Sequence, residues 1–300
     1  MSLNGWIILD KPVGLGSTQA VSAIKRLLRE SGEPKTKVGH GGTLDPLASG
    51  VLPIALGEAT KLCGRMLDAT KAYDFTIKFG EETDTLDAEG EVTETARPWI
   101  EGAAIEDVLV DFIGEINQLP PAYSALKIEG KPAYERARAG EQVEIKSRKI
   151  TVHDLRYRGD CIAKDGHSYV DLSAEVSKGT YIRSLARDIA RAVGNRGHVS
   201  YLRRTRAGPF DLDQAVSLDF LTEIAKARQL TRAVLPLQAA LDDIPALPVT
   251  PDQAQLLRHG QKLFGFPARP GLCMATLEET PAALVEASAD GLRVVRGFNL

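Results

Sequence analysis

The 300-residue sequence contains only three cysteines and five histidines. The cysteines (Cys63, Cys161 and Cys273) are far apart and form no Cys-x-x-Cys pair, so we expect neither a disulfide framework nor a zinc site. The histidines lack the spacing of metal ligands as well. No apolar run is long enough to cross a bilayer, and no charged-then-apolar leader is found at the N-terminus. These absences predict a cytoplasmic protein without metal or membrane association.

The composition is ordinary for a globular protein, with 43% hydrophobic and 26% charged residues. The length suffices for a main domain with a sizeable core and for a smaller second domain. Repeated prolines interrupt the pattern of regular structure over residues 240–251 and mark a linker there. We expect a main domain over residues 1–240 and a small β-rich domain over residues 245–300.

The net charge of −3 conceals an uneven distribution of charge along the chain. Residues 81–115 contain twelve acidic side chains and one basic one, Arg97. Residues 178–206 contain eight lysines and arginines and a single acidic residue, Asp188. A local basic stripe attracts nucleic-acid phosphates, but a solvated helix face beside a basic edge strand has the same pattern. Charge alone therefore leaves both interpretations open.

Hydrophobic periodicity predicts the fold class. Tyr73, Phe75, Ile77 and Phe79 alternate with polar residues, which is typical of a half-buried strand. Further strands are predicted at 5–9, 51–55, 149–157, 169–176 and 198–206, and helices at 17–29, 58–67, 105–113, 133–139, 180–193 and 218–228. The strands are not joined by regular βα crossovers. We therefore expect an α+β fold with a mixed, mainly antiparallel sheet flanked by helices.

The most unusual stretch is VGHGGTLDPLASGVL, residues 38–52, with four glycines, His40 and Asp45. The glycines permit backbone angles closed to other residues and let a partner approach closely. Asp45 precedes Pro46, which biases it toward an extended conformation at the end of a stiff turn. An ordinary Asx-type turn accounts for the Asp-Pro pair equally well, so this stretch alone does not establish a site.

Six motifs, taken together, resemble those of one family. GWIILDKPVGLGSTQAV, KVGHGGTLDPLASGVLPIALGEATK, KAYDF, PPAYSALKIEGKPAYERARAG, SKGTYIRSLARDI and HVSYLRRTRAGPF occur in the order expected of the bacterial tRNA pseudouridine-55 synthases, the TruB family. The resemblance covers roughly residues 5–212. The C-terminal segment resembles that family's small RNA-binding PUA-like domain more loosely and is short for one.

The resemblance implies the pseudouridine synthase fold and the isomerisation of one uridine in the T-arm stem-loop of tRNA. The N-glycosidic bond breaks, the uracil rotates, and a carbon–carbon bond forms at C5. The resemblance implies no cofactor and no metal. Residues 118–150 are expected to form an insertion that closes over the RNA. We assume a monomer, because nothing in the sequence argues for a dimer.

The resemblance also implies three catalytic residues. Asp45 matches the catalytic aspartate, and Arg183 matches the arginine that pairs with it. Tyr73 matches the tyrosine that stacks on the target uracil and is placed to move the C5 proton. The sequence does not decide whether Asp45 attacks the ribose C1′, adds to C6 of the base or removes a sugar proton. Judged without the family, Tyr73 would be an ordinary core aromatic residue.

The resemblance also implies a set of substrate-binding residues, and the charge pattern adds basic residues to it. His40 matches the residue that fills the RNA loop when the base leaves, although without the family it would be an incidental loop histidine. Tyr181 and Leu202 match the base-edge and apolar walls of the pocket. Residues expected to contact tRNA phosphates are Lys178, Arg187, Arg191, Arg196, Arg203, Arg204 and Arg206, together with a second basic region over 127–149.

Two other functions compete with this one. An RNA-binding or RNA-folding module with secondary or lost catalysis would share the basic regions, but would give Asp45 no reason to pair with Arg183. A carboxylate-nucleophile hydrolase would need a metal or a phosphate cradle. Ser17-Thr18 and the 177–180 segment do not have the spacing of a phosphate-binding loop.

Overall fold

The computed structural model of the chain describes residues 3–124, 126–128, 130–139 and 145–300. The strands are β1 (Gly5–Lys11), β2 (Val38–His40), β3 (Ser49–Leu56), β4 (Lys71–Phe79), β5 (Glu81–Thr83), β6 (Val92–Thr95), β7 (Gly114–Gln118), β8 (Lys127–Ile128), β9 (Lys131–Pro132), β10 (Arg148–Lys164), β11 (His167–Val176), β12 (Gly197–Ala207), β13 (Phe210–Asp211), β14 (Ala246–Pro248), β15 (Leu263–Phe264), β16 (Gly271–Leu277), β17 (Thr280–Ser288) and β18 (Gly291–Gly297). The helices are α1 (Ser17–Glu30), α2 (Cys63–Asp68), α3 (Gly102–Leu109), α4 (Ala133–Arg138), α5 (Ile182–Ala192), α6 (Leu218–Lys226) and α7 (Pro251–Arg258). None of the described helices is long and apolar enough to cross a membrane.

A nine-stranded sheet forms the main body. Its central path runs β1-β3-β12-β4-β11-β10-β7, with β2 paired to β3 and β13 paired to β12. All of its pairings are antiparallel except the short parallel contact between β12 and β3. The prediction of a mixed, mainly antiparallel α+β fold is therefore confirmed.

The alternating strand predicted from residue 73 onward is β4, near the middle of this sheet. Phe75, Ile77 and Phe79 are buried against the main hydrophobic core, and Tyr73 packs at its edge. The apolar faces of α1 and α5 pack in the same core. Burying these three side chains from one strand contributes several kcal/mol, at roughly 1.5–3 kcal/mol each. β4 is therefore a rigid base for the residue at its start.

Three local features are not as the sequence predicts or were not predicted from it. Gly16 is the N-cap residue of α1, and the hydroxyl of Ser17, the first residue of the helix, binds the backbone of Leu44. The helix expected at 58–67 is a 3-10 helix over Gly57–Leu62 followed by α2. β7 was not predicted, because its mostly polar sequence GEINQ borders the sheet as an edge strand with little apolar signal.

A second sheet of five strands, in the order β14-β16-β17-β18-β15, occupies the C-terminal region where the small β-rich domain was expected. Met274, Leu284 and Phe298 from this region pack with Trp6 and Leu237 of the main body in a shared core cluster. The predicted insertion over 118–150 includes β8, β9 and α4. Residues 125, 129 and 140–144 of that prediction lie outside the described residues.

Candidate active site

The loop that carries Asp45 connects β2 to β3 and is held from below by buried side chains. The Ser17 hydroxyl accepts a hydrogen bond from the Leu44 N–H and donates one to the Leu44 carbonyl, both at 2.8 Å. Arg204 is 1% exposed and donates to the carbonyls of Val51, Thr43 and Gly42 at 2.7–3.2 Å. The loop therefore has a fixed backbone path.

Glycine is required at two positions of this loop. A Cβ atom at Gly41 would lie 2.6 Å from the Cβ of Met66, which is too close without movement of the backbone. Gly42 has a φ angle of +142°, which side-chain-bearing residues rarely adopt. The loop can therefore pass close to α2 and present Asp45 on its outer side.

Asp45 forms an ion pair with Arg183, which lies in the first turn of α5. The Arg183 Nη2 atom is 2.9 Å from the Asp45 Oδ2 atom, and the two side chains are 6% and 38% exposed. Arg183 also donates to the Thr85 carbonyl at 2.7 Å and to the Tyr123 carbonyl at 3.0 Å. A buried guanidinium fixed by two carbonyls holds the carboxylate in one place.

A second carboxylate, Asp87, completes this group and was not predicted. Its Oδ2 atom is 3.5 Å from the Arg183 Nη1 atom, and its side chain is 4% exposed. Its Oδ1 atom accepts hydrogen bonds from the Thr85 hydroxyl and the Glu89 N–H. Sequence analysis treated the tract around Asp87 only as a stretch of acidic charge. The one available signal was that this tract is opposite in charge to the segment containing Arg183.

A cavity of about 290 Å³ opens beside the Asp45–Arg183 pair. Tyr73, Tyr181, Leu202 and both members of the pair line it, and so do Thr43, Lys71, Leu126, Arg148, Val176 and Arg204. Leu202 faces inward and is buried, while Tyr201 next to it is exposed, as strand alternation predicts. This volume is at the low end for ligand pockets and suits one flat heterocycle.

Tyr181 is oriented by two residues that sequence analysis did not single out for this role. The side-chain amide of Gln118, at the end of β7, accepts from the Tyr181 N–H at 2.8 Å and donates to its carbonyl at 3.1 Å. The Arg148 guanidinium lies 4.9 Å from the centre of the Tyr181 ring and donates to the Gly179 carbonyl. Such long-range contacts leave no local sequence signal.

Two buried lysines stabilise the surroundings of the cavity. Lys11 donates to the carbonyls of Pro12 and Leu15, and burial lowers its pKa to about 8 although the nearby Asp45 carboxylate opposes this shift. Lys71 donates to three carbonyls at the C-terminal end of α2, and burial, with Arg204 nearby, lowers its pKa to about 8. Both lysines hold backbone turns in place.

His40 lies in β2 rather than in the glycine-rich loop, and its side chain is half-buried. Its Nδ1 atom accepts a hydrogen bond of 3.4 Å from the Gly42 N–H. Burial and the nearby Arg204 charge lower the His40 pKa, so the imidazole is neutral near pH 7. The structure thus places His40 beside the loop and not among the residues that line the cavity.

Most of the basic residues over 178–206 that were expected to contact phosphates are ion-paired within the chain. The acidic tract supplies the partners of Arg191 and Arg196, and the pairs are Lys178–Asp68, Arg187–Asp188, Arg191–Glu82, Arg196–Glu94, Arg203–Asp10 and Arg206–Glu175. Arg204 is buried and bonds loop carbonyls, so it cannot follow phosphates on the surface. Lys178 and Arg203 keep part of their side chains exposed. Within the described ranges, no cluster of His, Cys, Asp and Glu is arranged to hold a metal.

A mainly antiparallel sheet with an aspartate–arginine pair beside a base-sized cavity is the arrangement of a pseudouridine synthase. Residues 25–182 match the N-terminal domain of the TruB family of pseudouridylate synthases. Residues 183–242 match the C-terminal domain of tRNA pseudouridylate synthase B. The chain belongs to the TruB family.

Similar proteins support this assignment along the whole chain. A tRNA pseudouridine synthase B from Zymomonas mobilis is 58% identical over 99% of this chain and 97% of its own length. One from Rhodospirillum rubrum is 43% identical over 99% of this chain and 94% of its own. A solved structure of an H/ACA RNP bound to a substrate RNA containing 2′-deoxyuridine is 26% identical, with a TM-score of 0.70 over 99% of this chain and 85% of that one.

Proposed function

We propose that this chain isomerises uridine-55 in the T-arm of tRNA to pseudouridine, using Asp45 as its catalytic carboxylate. The observation that carries the proposal is the 2.9 Å pair between Asp45 and the buried Arg183 at the edge of a base-sized cavity. An RNA-binding module would not need a fixed carboxylate at that position. The relatives named above carry the same activity in their names.

The target base has to leave the RNA stack before it can react, which costs a few kcal/mol. Tyr73 offers a flat surface inside the cavity, and a base stacked on an aromatic ring gains about 1–3 kcal/mol. Leu202 supplies an apolar wall on the neighbouring strand. His40 fills the space in the RNA loop from its position beside the cavity. These contacts together offset the cost of extrusion.

The reaction replaces the N-glycosidic bond between ribose and uracil with a carbon–carbon bond. The N1–C1′ bond breaks, the C5–C1′ bond forms, C5 loses its hydrogen and N1 gains one. Asp45 is 38% exposed before RNA binds, and a bound base would cover it. Arg183 then remains the carboxylate's ion-pair partner inside the closed cavity. The Tyr73 hydroxyl is the group assigned to move the C5 proton.

We extend the proposal to the RNA contacts, the roles of the two domains, and the location and oligomeric state of the enzyme. Lys178 and Arg203 exchange their carboxylate partners for tRNA phosphates, and Tyr181 contacts the edge of the base. The main domain over residues 1–240 performs the reaction, and residues 245–300 form a small RNA-binding domain. The enzyme works in the cytoplasm as a monomer without a metal or another cofactor.

Release of tritium from tRNA labelled at uridine C5 tests the reaction, because isomerisation expels the C5 hydrogen. We expect the wild-type chain to release one tritium per tRNA from the target uridine. Asp45→Asn should release almost none, and Asp213→Asn, which changes an exposed aspartate elsewhere, should match the wild type. A chain that binds tRNA tightly and releases no tritium would be an RNA-binding module, and the proposal would fail.

A further inference from the structure

Among the described residues, a group of cations outside any ion pair lies beside α1, away from the paired arginines of α5 and β12. A recess of about 790 Å³ is lined by Lys25, Arg29, Lys35, Lys37 and one carboxylate, Glu33. We call this surface, with Leu28 and Val38 at its floor, the α1–β2 recess. Among the described residues, none of its four cations is within ion-pair distance of a carboxylate. It is therefore a positive surface on a chain whose net charge is −3.

The geometry of the recess suits an extended polyanion. Lys25 and Arg29 are one turn apart on the exposed face of α1, while Lys35 and Lys37 extend from the segment that follows the helix. All four side chains are exposed, and the apolar floor lets their stems pack while the charges stay in water. Spaced, solvated cations of this kind bind a phosphate backbone without reading its sequence.

The recess is connected to the active site by β2. Lys37 precedes β2, and His40 ends it, so the recess begins roughly 10 Å from the histidine, at 3.3 Å per residue. β2 and β3 lie on one side of the β12–β4 pair that carries Leu202 and Tyr73, and β10 and β11 lie on the other. The second side has its own exposed cations, Lys149 and Lys178.

The exposed Lys149 and Lys178 offer the stem of a stem-loop that enters the cavity a basic surface on the β10–β11 side. If the T-arm stem runs over the β10–β11 side, the recess faces a different part of the folded tRNA. We propose that the α1–β2 recess binds the phosphate backbone of tRNA outside the T-arm. This inference rests on the proposed function, since it uses the same bound tRNA.

The test compares intact tRNA with an isolated T-arm stem-loop as ligands of the full-length chain. Lys25→Gln combined with Lys35→Gln removes two charges from the recess. The control, Arg97→Gln combined with Lys164→Gln, also removes two exposed charges. Both lie where β4 ends and β11 begins, at the ends of these strands away from the cavity. Each lost phosphate contact lowers the slope of log affinity against log salt by about 0.7–0.9.

We expect the recess variant to lower that slope by about 1.5 for intact tRNA and to weaken binding about 30-fold at 0.1 M salt. Its affinity for the stem-loop and its tritium release from the stem-loop should match the wild type. Unchanged binding of intact tRNA would overturn the inference. Equal loss for both RNAs, or an equal loss in the control variant, would overturn it as well. If the wild type releases no tritium from either RNA, the proposed function fails instead.

Discussion

Replacing Arg183 with methionine should destabilise the fold as well as stop the reaction. The guanidinium is the charged partner of the Asp87 Oδ2 atom, and the Asp87 side chain is 4% exposed. Removing one member of a buried ion pair costs about 3–5 kcal/mol, because the other charge stays buried without compensation. Asp45→Asn should cost less than about 1 kcal/mol, since Asp45 is partly exposed and Arg183 keeps its contact with Asp87.

Urea unfolding of three variants measures these differences. Arg183→Met should lose about 3–5 kcal/mol. Arg183→Met combined with Asp87→Asn should recover most of that loss, since no buried charge is then left alone. Asp45→Asn provides the matched control at the exposed end of the same group. If Arg183→Met unfolds at the wild-type urea concentration with an unchanged slope, Asp87 does not depend on this guanidinium and the reasoning is wrong.

Three further outcomes are expected. Ser17→Ala should lower the free energy of unfolding by about 1–3 kcal/mol and reduce kcat, because the Leu44 backbone loses its hydrogen-bond partner. The control Ser22→Ala removes an exposed hydroxyl on the same helix and should change neither quantity. Burial lowers the Lys71 pKa in the folded chain to about 8 from 10.5. The unfolded chain therefore binds more protons than the folded chain between pH 8 and 10.5. The free energy of unfolding of the wild type, relative to that of Lys71→Met, should rise by about 3 kcal/mol from pH 8 to 10.5 and fall again when the pH is lowered. Urea unfolding at both pH values measures this, and a constant difference between the two proteins would show that it is wrong. EDTA should leave the rate unchanged when monovalent salt keeps the tRNA folded, whereas a loss restored by a divalent ion would indicate a metal-dependent reaction.

Local periodicity predicted much of the sheet. The alternation from Tyr73 to Phe79 identified β4, and the strand predicted at 198–206 lies within β12. Both predictions depend only on the two-residue repeat of a strand, which the sequence displays directly. The pairing of Asp45 with Arg183 came from the family resemblance, because 138 residues separate the two and no local pattern connects them.

The remaining features of the site depend on contacts between distant segments. Asp87 is buried because the acidic tract folds under α5, which converts a predicted basic stripe into a set of ion pairs. Gln118 orients Tyr181 from an edge strand that has almost no apolar signal. Ser17 is next to the N-cap position of α1, where a hydroxyl often caps a helix, yet its hydroxyl binds the loop instead. In each case tertiary contacts decide between options that the local sequence leaves open.

The central claim is that Asp45, held in place by Arg183, acts on the uridine at position 55. The most direct measurement maps pseudouridine by chemical derivatisation in tRNA after a single turnover with the wild type and with Asp45→Asn. The account predicts modification at position 55 by the wild type, with Asp45→Asn slower by at least about 10²–10⁴-fold. Modification by Asp45→Asn at the wild-type rate would contradict it.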